Sequence, residues 1–501
     1  MKDKILFWLD AGLIHFGIAK VLQEKHDADY YAIIDTNKGK TFFQNQKLVS
    51  FKKYWFIRDC FDLMKKESDL KYLKDTENKI GVNLWQTVYS DIIFNQYNTF
   101  HKFKKNKILQ IFEQEIRFYE RILDEIKPDF LVIRMTDYSK NQILHQLCNA
   151  RSIPILTLGH TRLGSRCMIT TETDLIEEYE KNSELKDEQE RDFKELKTYI
   201  QKYAKEQSDF IIKYKNSTKE KISAAFYFFT EVRNKNYKNY YEHYGRTFSN
   251  LLKNEIQFYF QKKIRRKFID NNAIRKTISN EKYVYFPLQY EPERSILIAA
   301  PFYTNQLEVI RNIAKSLPVN YFLYVKEHPG QSKKGWRSKD FYQKIIEMPN
   351  VRLIHYSISS EDLIRNASLV MTITGTAGLE AMFEQKPAII FARTIYSDLP
   401  SVQIIQNLEE LPKTIRKSLK DKVKLADLNN YVKYIEQNSF EFNLPKLYSE
   451  IDNYFYYGSH LQDVEIDETQ MKNFLEKNEK EFEKLANEHK KRIKFYKNKI
   501  E

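Results

Sequence analysis

The stretch YFLYVKEHPG, Tyr321 to Gly330, delivers Lys326, Glu327 and His328 to the end of an apolar run, and Pro329 stops any continuation. In an extended chain residues two apart share a side, so Lys326 and His328 can both donate hydrogen bonds to one phosphate. A second stretch, LVMTITGTAGLEAMFEQKPAIIF (Leu369 to Phe391), runs from an apolar strand through Thr374-Gly375-Thr376-Ala377-Gly378 into a helix. Gly375 and Gly378 permit a tight turn and close approach of a ligand, and the hydroxyls of Thr374 and Thr376 can cap the helix. Exposed N–H groups and the helix dipole favour an anion there. Glu380, one turn on, can accept hydrogen bonds from ribose hydroxyls.

A third stretch, FPLQYEPE (Phe286 to Glu293), sets Gln289, Glu291 and Glu293 after another apolar run, where they line the same crevice or form an ordinary polar loop. In the first third of the chain Asp10, Asp137 and His160 each follow an apolar run and are candidates for a general base. Taken singly, each reads more readily as a polar loop residue. Arg162 and Arg166 suit an anionic ligand or plain surface charge. The single Asp-x-Asp, Asp27-Ala28-Asp29, precedes a strand instead of following one, so no metal ligand and no resident cofactor is expected.

The elements that must hold these residues are short apolar strands alternating with helical patterns, the signature of βαβ units and parallel sheets. Residues 1–170 contain Lys4–Leu9, Tyr30–Ile34, Phe130–Ile133 and Pro154–Leu158 as strands, with helices near Ile14–Gln23, Gln110–Ile126 and Asn141–Ala150. Residues 281–422 contain Tyr283–Phe286, Tyr321–Val325, Val351–His355, Leu369–Ile373 and Ala388–Phe391, with five helical patterns between Gln306 and Lys420. Residues 171–280 between them are rich in Lys, Glu, Tyr and Phe and read as a helical insertion or connector. Their basic aromatic stretch NKNYKNYYEHYGR, Asn234 to Arg246, alternatively offers a docking surface for a partner or a membrane. The tail, 423–501, ends in a long charged helix from Asp467 whose Met471, Leu475, Phe482, Leu485, Ile493, Tyr496 and Ile500 follow 4–3 spacing, with Asn478 and His489 filling the remaining register positions. That spacing fits an oligomeric coiled-coil contact or packing on the protein's own body.

A chain of 501 residues exceeds one ordinary core, and its 42% hydrophobic and 30% charged residues fit a soluble multidomain protein. The net charge of +14 is spread along the chain without an arginine-rich arm, which argues against nucleic acid; it reads equally as plain composition or as attraction to anionic small molecules or a membrane surface. Cys60, Cys148 and Cys167 form neither a zinc spacing nor a disulfide framework, as expected of a reducing compartment. Without a leader pattern or an 18-residue apolar span, the expected location is the cytoplasm, with peripheral contact at the inner face of the membrane.

Taken with NVRLIHYSISSEDLIRNASLVMTITGTAGLEAMFEQKPAIIF, the KEHP motif resembles the carboxyl-terminal domain of capsule and surface polysaccharide biosynthesis glycosyltransferases. That group includes capsule Kdo transferases and is similar in motif layout to bacterial sialyl- and polysialyltransferases. The resemblance covers about residues 281–420 and extends loosely to LGHTRLGSR, Leu158 to Arg166. It implies the GT-B fold class: α/β, two Rossmann-like domains facing across a cleft, here with a helical insertion and a long C-terminal helix. It further implies that His328 and Pro329 lie at the nucleotide phosphate, with Thr374 and Thr376 at the helix end and Glu380 near the ribose. The implied co-substrate is a nucleotide sugar, often CMP-linked in those relatives, although the layout also serves UDP, GDP or dTDP sugars. The implied partner is a glycan or glycolipid acceptor. Two rival readings share the pattern: a nucleotide-sugar 2-epimerase, which would convert UDP-GlcNAc without an acceptor, and a non-enzymatic scaffold, whose function would survive loss of His328.

Overall fold

The computed structural model describes residues 2–36, 38–61, 67–94, 97–177, 190–200, 222–223, 226–227, 240–276, 278, 280–461 and 464–500. Its strands are β1 (Asp3–Asp10), β2 (Ala28–Asp35), β3 (Lys53–Phe56), β4 (Phe130–Ile133), β5 (Ile155–His160) and β6 (Arg166–Thr170), followed by β7 (Tyr283–Pro287), β8 (Phe322–Lys326), β9 (Val351–Ile354), β10 (Leu369–Thr372), β11 (Ala388–Ile390), β12 (Val402–Ile404) and β13 (Phe440–Glu441). They form two sheets, ordered β13-β6-β5-β4-β1-β2-β3 and β12-β11-β10-β7-β8-β9. The second is parallel throughout, and the first is parallel from β5 to β3 with β6 and β13 added antiparallel at one edge. Both sheets are Rossmann-like, which is the α/β class read from the sequence. β3, β6, β12 and β13 are additions to the strands expected from it.

The chain divides into two compact units: residues 1–184, 202–246 and 436–501 form one, and 185–201 with 247–435 form the other. This redraws the four-segment division at 170, 280 and 422, because the middle segment is shared between the units and the tail joins the first.

In the first unit, β1 is buried on both faces, as parallel strands are. Ile5, Phe7 and Leu9 point to one side, with Phe16 of the helix Ile14–Lys25, while Leu6 and Trp8 point to the other, with Phe112, Ile116 and Tyr119 of the helix Lys105–Ile126. The tail is not one helix but two, Glu468–Lys477 and Glu479–Ile500, broken at the buried Asn478. Its apolar seam faces its own unit: Met471, Phe474, Phe482, Leu485 and Ile493 belong to the core beside Phe16. Gly17 admits the second tail helix, since a Cβ there would sit 2.2 Å from the Phe482 ring. Of the two readings of that spacing, packing on the protein's own body is the one the structure has.

The basic aromatic stretch is corrected in the same way for its described part. Tyr240 and Tyr241 are buried with Ile93 and Ile111. Glu242 meets the Lys140 ammonium at 2.6 Å, and Lys140 also meets Asp35 at 2.5 Å. Asn234 to Asn239 lie outside the described residues. Among the described residues no helix is long and apolar enough to cross a membrane.

Candidate functional site

In the second unit β7 lies between β10 and β8, so the two motif-bearing turns leave the same carboxyl edge on either side of it. The chain builds β7, β8 and β9 outward, then returns to place β10 on the other flank. The order thus reverses between β7 and β10, where open α/β sheets form ligand crevices. Gln289, just after β7, spans that point, its Nε2 donating to Thr372 Oγ1 at 2.8 Å. The same oxygen accepts from the Gly375 amide at 3.1 Å. Gly375 must lack a side chain, because a Cβ would lie 2.6 Å from both Gln289 Nε2 and Thr372 Oγ1. Gly378 likewise leaves room for the Tyr396 hydroxyl, 2.5 Å from where its Cβ would be. The glycines here accommodate protein side chains.

The Thr376 hydroxyl does not cap the helix Ala377–Phe383, a correction to the sequence expectation. Thr374 Oγ1 donates to the Ser295 carbonyl at 2.8 Å, and Thr376 Oγ1 donates to Glu380 Oε1 at 2.9 Å. A carboxylate one turn ahead is a stronger acceptor than water, and it turns the Thr376 hydroxyl away from the backbone. Glu380 is exposed, yet crowding around its carboxyl raises its pKa, against the pull of Thr376 and of Lys326.

Lys326 and His328 differ in setting. Lys326 is only 3% exposed, and its ammonium donates to Ser360 Oγ at 2.7 Å. Burial lowers its pKa to about 8, partly offset by Glu380. His328 is exposed, with Nδ1 accepting the Gly330 amide at 3.1 Å and its ring 5.6 Å from that of Tyr290. A neutral ring with Nδ1 so engaged carries its proton on Nε2, which makes His328 a donor at the sheet edge. Burial lowers its pKa, with Glu293 and Glu327 opposing and Arg337 and Lys326 adding to the fall. Pro329 begins the short 3-10 turn Pro329–Lys334 that sets the ring's position.

Beneath this pair lies a buried clamp that motif reading did not reveal. Arg337 Nε donates to Glu327 at 2.9 Å, and its two terminal nitrogens bond Glu291 and the Gln289 carbonyl. Tyr342 adds a hydroxyl to Glu327 at 2.6 Å. Glu291 also accepts from Gln306. Its carboxylate is thus committed to holding the loop after β7, in contrast to the ligand-facing place that spacing alone had given it.

In the first unit the order reverses between β1 and β4, and the strand-end residues meet there. Arg134, directly after β4, donates to Asp10 at 2.9 Å and to Asp137 at 2.7 Å. Burial disfavours the Asp10 carboxylate, but Arg134, His15 and the Gly12 amide together outweigh it and the pKa is lowered. Asp137 also accepts from Asn141 at 2.9 Å and is the more open of the two, at 31% side-chain exposure against 9%. His160 ends the neighbouring β5, where Nδ1 accepts the Arg162 amide at 2.8 Å. Burial and Arg162 bring its pKa to about 4. Arg166 is tied down by the carbonyls of Glu436 and Ser439, at 2.9 and 2.8 Å. Among the described residues no three His, Cys, Asp or Glu side chains are grouped to hold a metal ion.

Residues 189–448 match the model of a protein family described as capsule polysaccharide biosynthesis protein, a span that includes every residue from Gln289 to Glu380 named above. The chain belongs to the capsule polysaccharide biosynthesis family. The family resemblance read from KEHP and the Gly-Thr turn stands at that level. No curated protein matches this capsule-biosynthesis chain significantly. Among solved structures it is similar to the UDP-GlcNAc 2-epimerase of Methanocaldococcus jannaschii, at 14% identity over 91% of this chain and 100% of that one, with a TM-score of 0.23. It is also similar to the beta Kdo 2,4 transferase of Thermosulfurimonas dismutans KpsC, at 11% identity over 64% of this chain and 86% of that one, TM-score 0.29. The fold assignment rests on the two sheets themselves.

The capsule-biosynthesis chain maintains its buried Lys326 at a cost that can be measured. The folded pKa of about 8 lies below the ordinary 10.5. Below pH 8 both states are protonated and the full penalty applies. Between these two values the unfolded chain binds more protons, so stability rises with pH. At about 1.4 kcal/mol per pKa unit the penalty reaches roughly 3 kcal/mol. Lys326→Met is expected to raise the thermal midpoint at pH 7 and to lose that advantage above about pH 10, which scanning calorimetry at the two pH values checks. A midpoint that falls at pH 7 would contradict the assignment of Lys326 as a strained cation.

Proposed function

We propose that this capsule-biosynthesis protein is a metal-independent glycosyltransferase that moves a sugar from a nucleotide donor, with CMP-linked sugars favoured, to a surface polysaccharide or glycolipid. One observation carries the reading: a buried ammonium, Lys326, has a neutral hydroxyl as its hydrogen-bond partner, and the exposed ring of His328, its Nδ1 taken by the Gly330 amide, lies two residues further on. A lysine held out of water without a carboxylate to pair it is a poor structural choice, and a good one where a phosphate arrives. The acceptor oxygen attacks the anomeric carbon, the bond to the donor phosphate breaks, and its electron pair leaves on the nucleotide. Lys326 and His328 stabilise that charge, the part a divalent ion takes in metal-dependent transferases. Asp27 and Asp29 are ill suited to that part, since they sit at the amino end of β2 and bond Lys2 and Lys52. The acceptor proton is assigned to Asp137, the open carboxylate of the Asp10–Arg134–Asp137 group.

The test is a thermal-shift screen of CMP, UDP, GDP and dTDP, followed by turnover of the matching sugar donor. One nucleotide at about a hundred times its Kd should stabilise the protein by about 2.7 kcal/mol. Turnover should persist in EDTA, and Asp137→Asn should abolish it while nucleotide binding stays. No response to any nucleotide defeats the donor site. Loss of activity in EDTA that Mg²⁺ or Mn²⁺ restores defeats metal independence, and conversion of UDP-GlcNAc without an acceptor identifies an epimerase.

A further inference from the structure

The helix Phe248–Asn272 is held to its unit through Phe258, Arg265, Ile269 and Asp270. Ile269 is buried, Arg265 donates to the Trp336 carbonyl at 3.0 Å, and Asp270 bonds His355 at 2.9 Å and the Tyr356 hydroxyl at 3.0 Å. Phe258 packs where a Cβ at Gly335 would lie 2.6 Å from its ring. Leu252, Ile256, Tyr259, Phe260 and Ile264, on the arc away from Phe258, Arg265 and Ile269, are 49–61% exposed. Exposed apolar side chains grouped this way on one helix mark a surface that meets something other than water. Lys253, Lys263, Arg266 and Lys267 are exposed among them, and Lys263 lies 4.3 Å from the centre of the Tyr259 ring. The helix has only two acids, Glu255 and Asp270, and Asp270 is committed to His355 and Tyr356.

We propose that this face docks the protein on an anionic phospholipid bilayer. The apolar side chains would enter the acyl boundary, and the lysines and arginine, on flexible stems, would reach the phosphate level. Charge selects this occupant over a second copy of the chain. A two-fold contact sets the same patch against itself and would bring like basic groups together, whereas an anionic leaflet attracts them. The face lies outside the residues assigned to the donor, so this inference stands or falls independently of the transferase reading.

Co-sedimentation of the full chain with vesicles of phosphatidylglycerol and phosphatidylethanolamine tests it, against vesicles of phosphatidylcholine alone. Binding to the anionic vesicles is expected, weaker in high salt. Ile256→Ser/Phe260→Ser and, separately, Lys263→Glu/Lys267→Glu should each weaken it at least about tenfold. The unchanged thermal midpoint of each variant shows that the fold is kept. The proposal is overturned by absence of binding, by variants that bind as the native chain does, or by sedimentation velocity revealing a self-association that the same substitutions abolish.

Discussion

Arg337→Met is expected to cost the second unit about 3–5 kcal/mol, because it leaves the buried Glu327 carboxylate without its cation. Glu327 is 1% exposed, and Arg337 Nε lies 2.9 Å from it. Burial acts against the Arg337 charge, but Glu327 and Glu291 outweigh it and raise the pKa, so the guanidinium stays charged in the clamp. For Glu291 burial prevails over Arg337 and raises the pKa, so it takes up a proton more readily once the arginine is gone. The thermal midpoint should fall by roughly 10 °C in calorimetry. Adding Glu327→Gln and Glu291→Gln should recover part of the loss, since removing both sides of a buried pair costs less than removing one. A triple variant no more stable than Arg337→Met would show that the clamp's contribution is packing, not charge. The clamp also fixes the Gln289 carbonyl, so the loop after β7 should loosen with it.

His328→Ala should leave the fold intact and remove the chemistry. The ring is exposed, and its contacts within the protein are the Gly330 amide, at 3.1 Å, and the Tyr290 ring. Losing one donor that faces a developing phosphate charge lowers turnover by about 10²–10³-fold. The variant should keep its thermal midpoint, lose the nucleotide-induced shift, and leave little capsule polymer in cells that carry it alone. His328→Gln, which keeps a terminal N–H, should restore part of the activity. Normal polymer with His328→Ala would point to a scaffold.

How far the site could be read from the chain depends on which forces place each residue. Lys326 and His328 were legible because a buried strand has only one way to end: the apolar run stops, the polar residues follow, and Pro329 prevents further pairing. The strands β7 to β11 were legible for the same reason, and the helices Gln306–Ser316 and Ser360–Asn366 fall among the helical patterns read between Gln306 and Lys420. Arg134 carried a weak signal, sitting directly after FLVI as Asp10 sits at the end of β1. Arg337, in GWRS, carried none. Its importance lies in three acceptors, Glu327, Glu291 and the Gln289 carbonyl, that only the folded loop collects.

Local sequence also misjudged the partners of side chains that have several to choose from. Thr376 can cap a helix by type, but Glu380 competes for its hydroxyl and takes it. The tail's seam can pair with any apolar stripe, and Gly17 decided that it would pair within the chain by leaving space for Phe482. Pattern and composition therefore determined the element types, the two parallel sheets and the strand ends at which chemistry gathers, because burial periodicity and chain stiffness act over a few residues. Tertiary structure alone decided which charges are clamped and which stay available, because hydrogen-bond partners far apart in sequence are chosen by three-dimensional proximity.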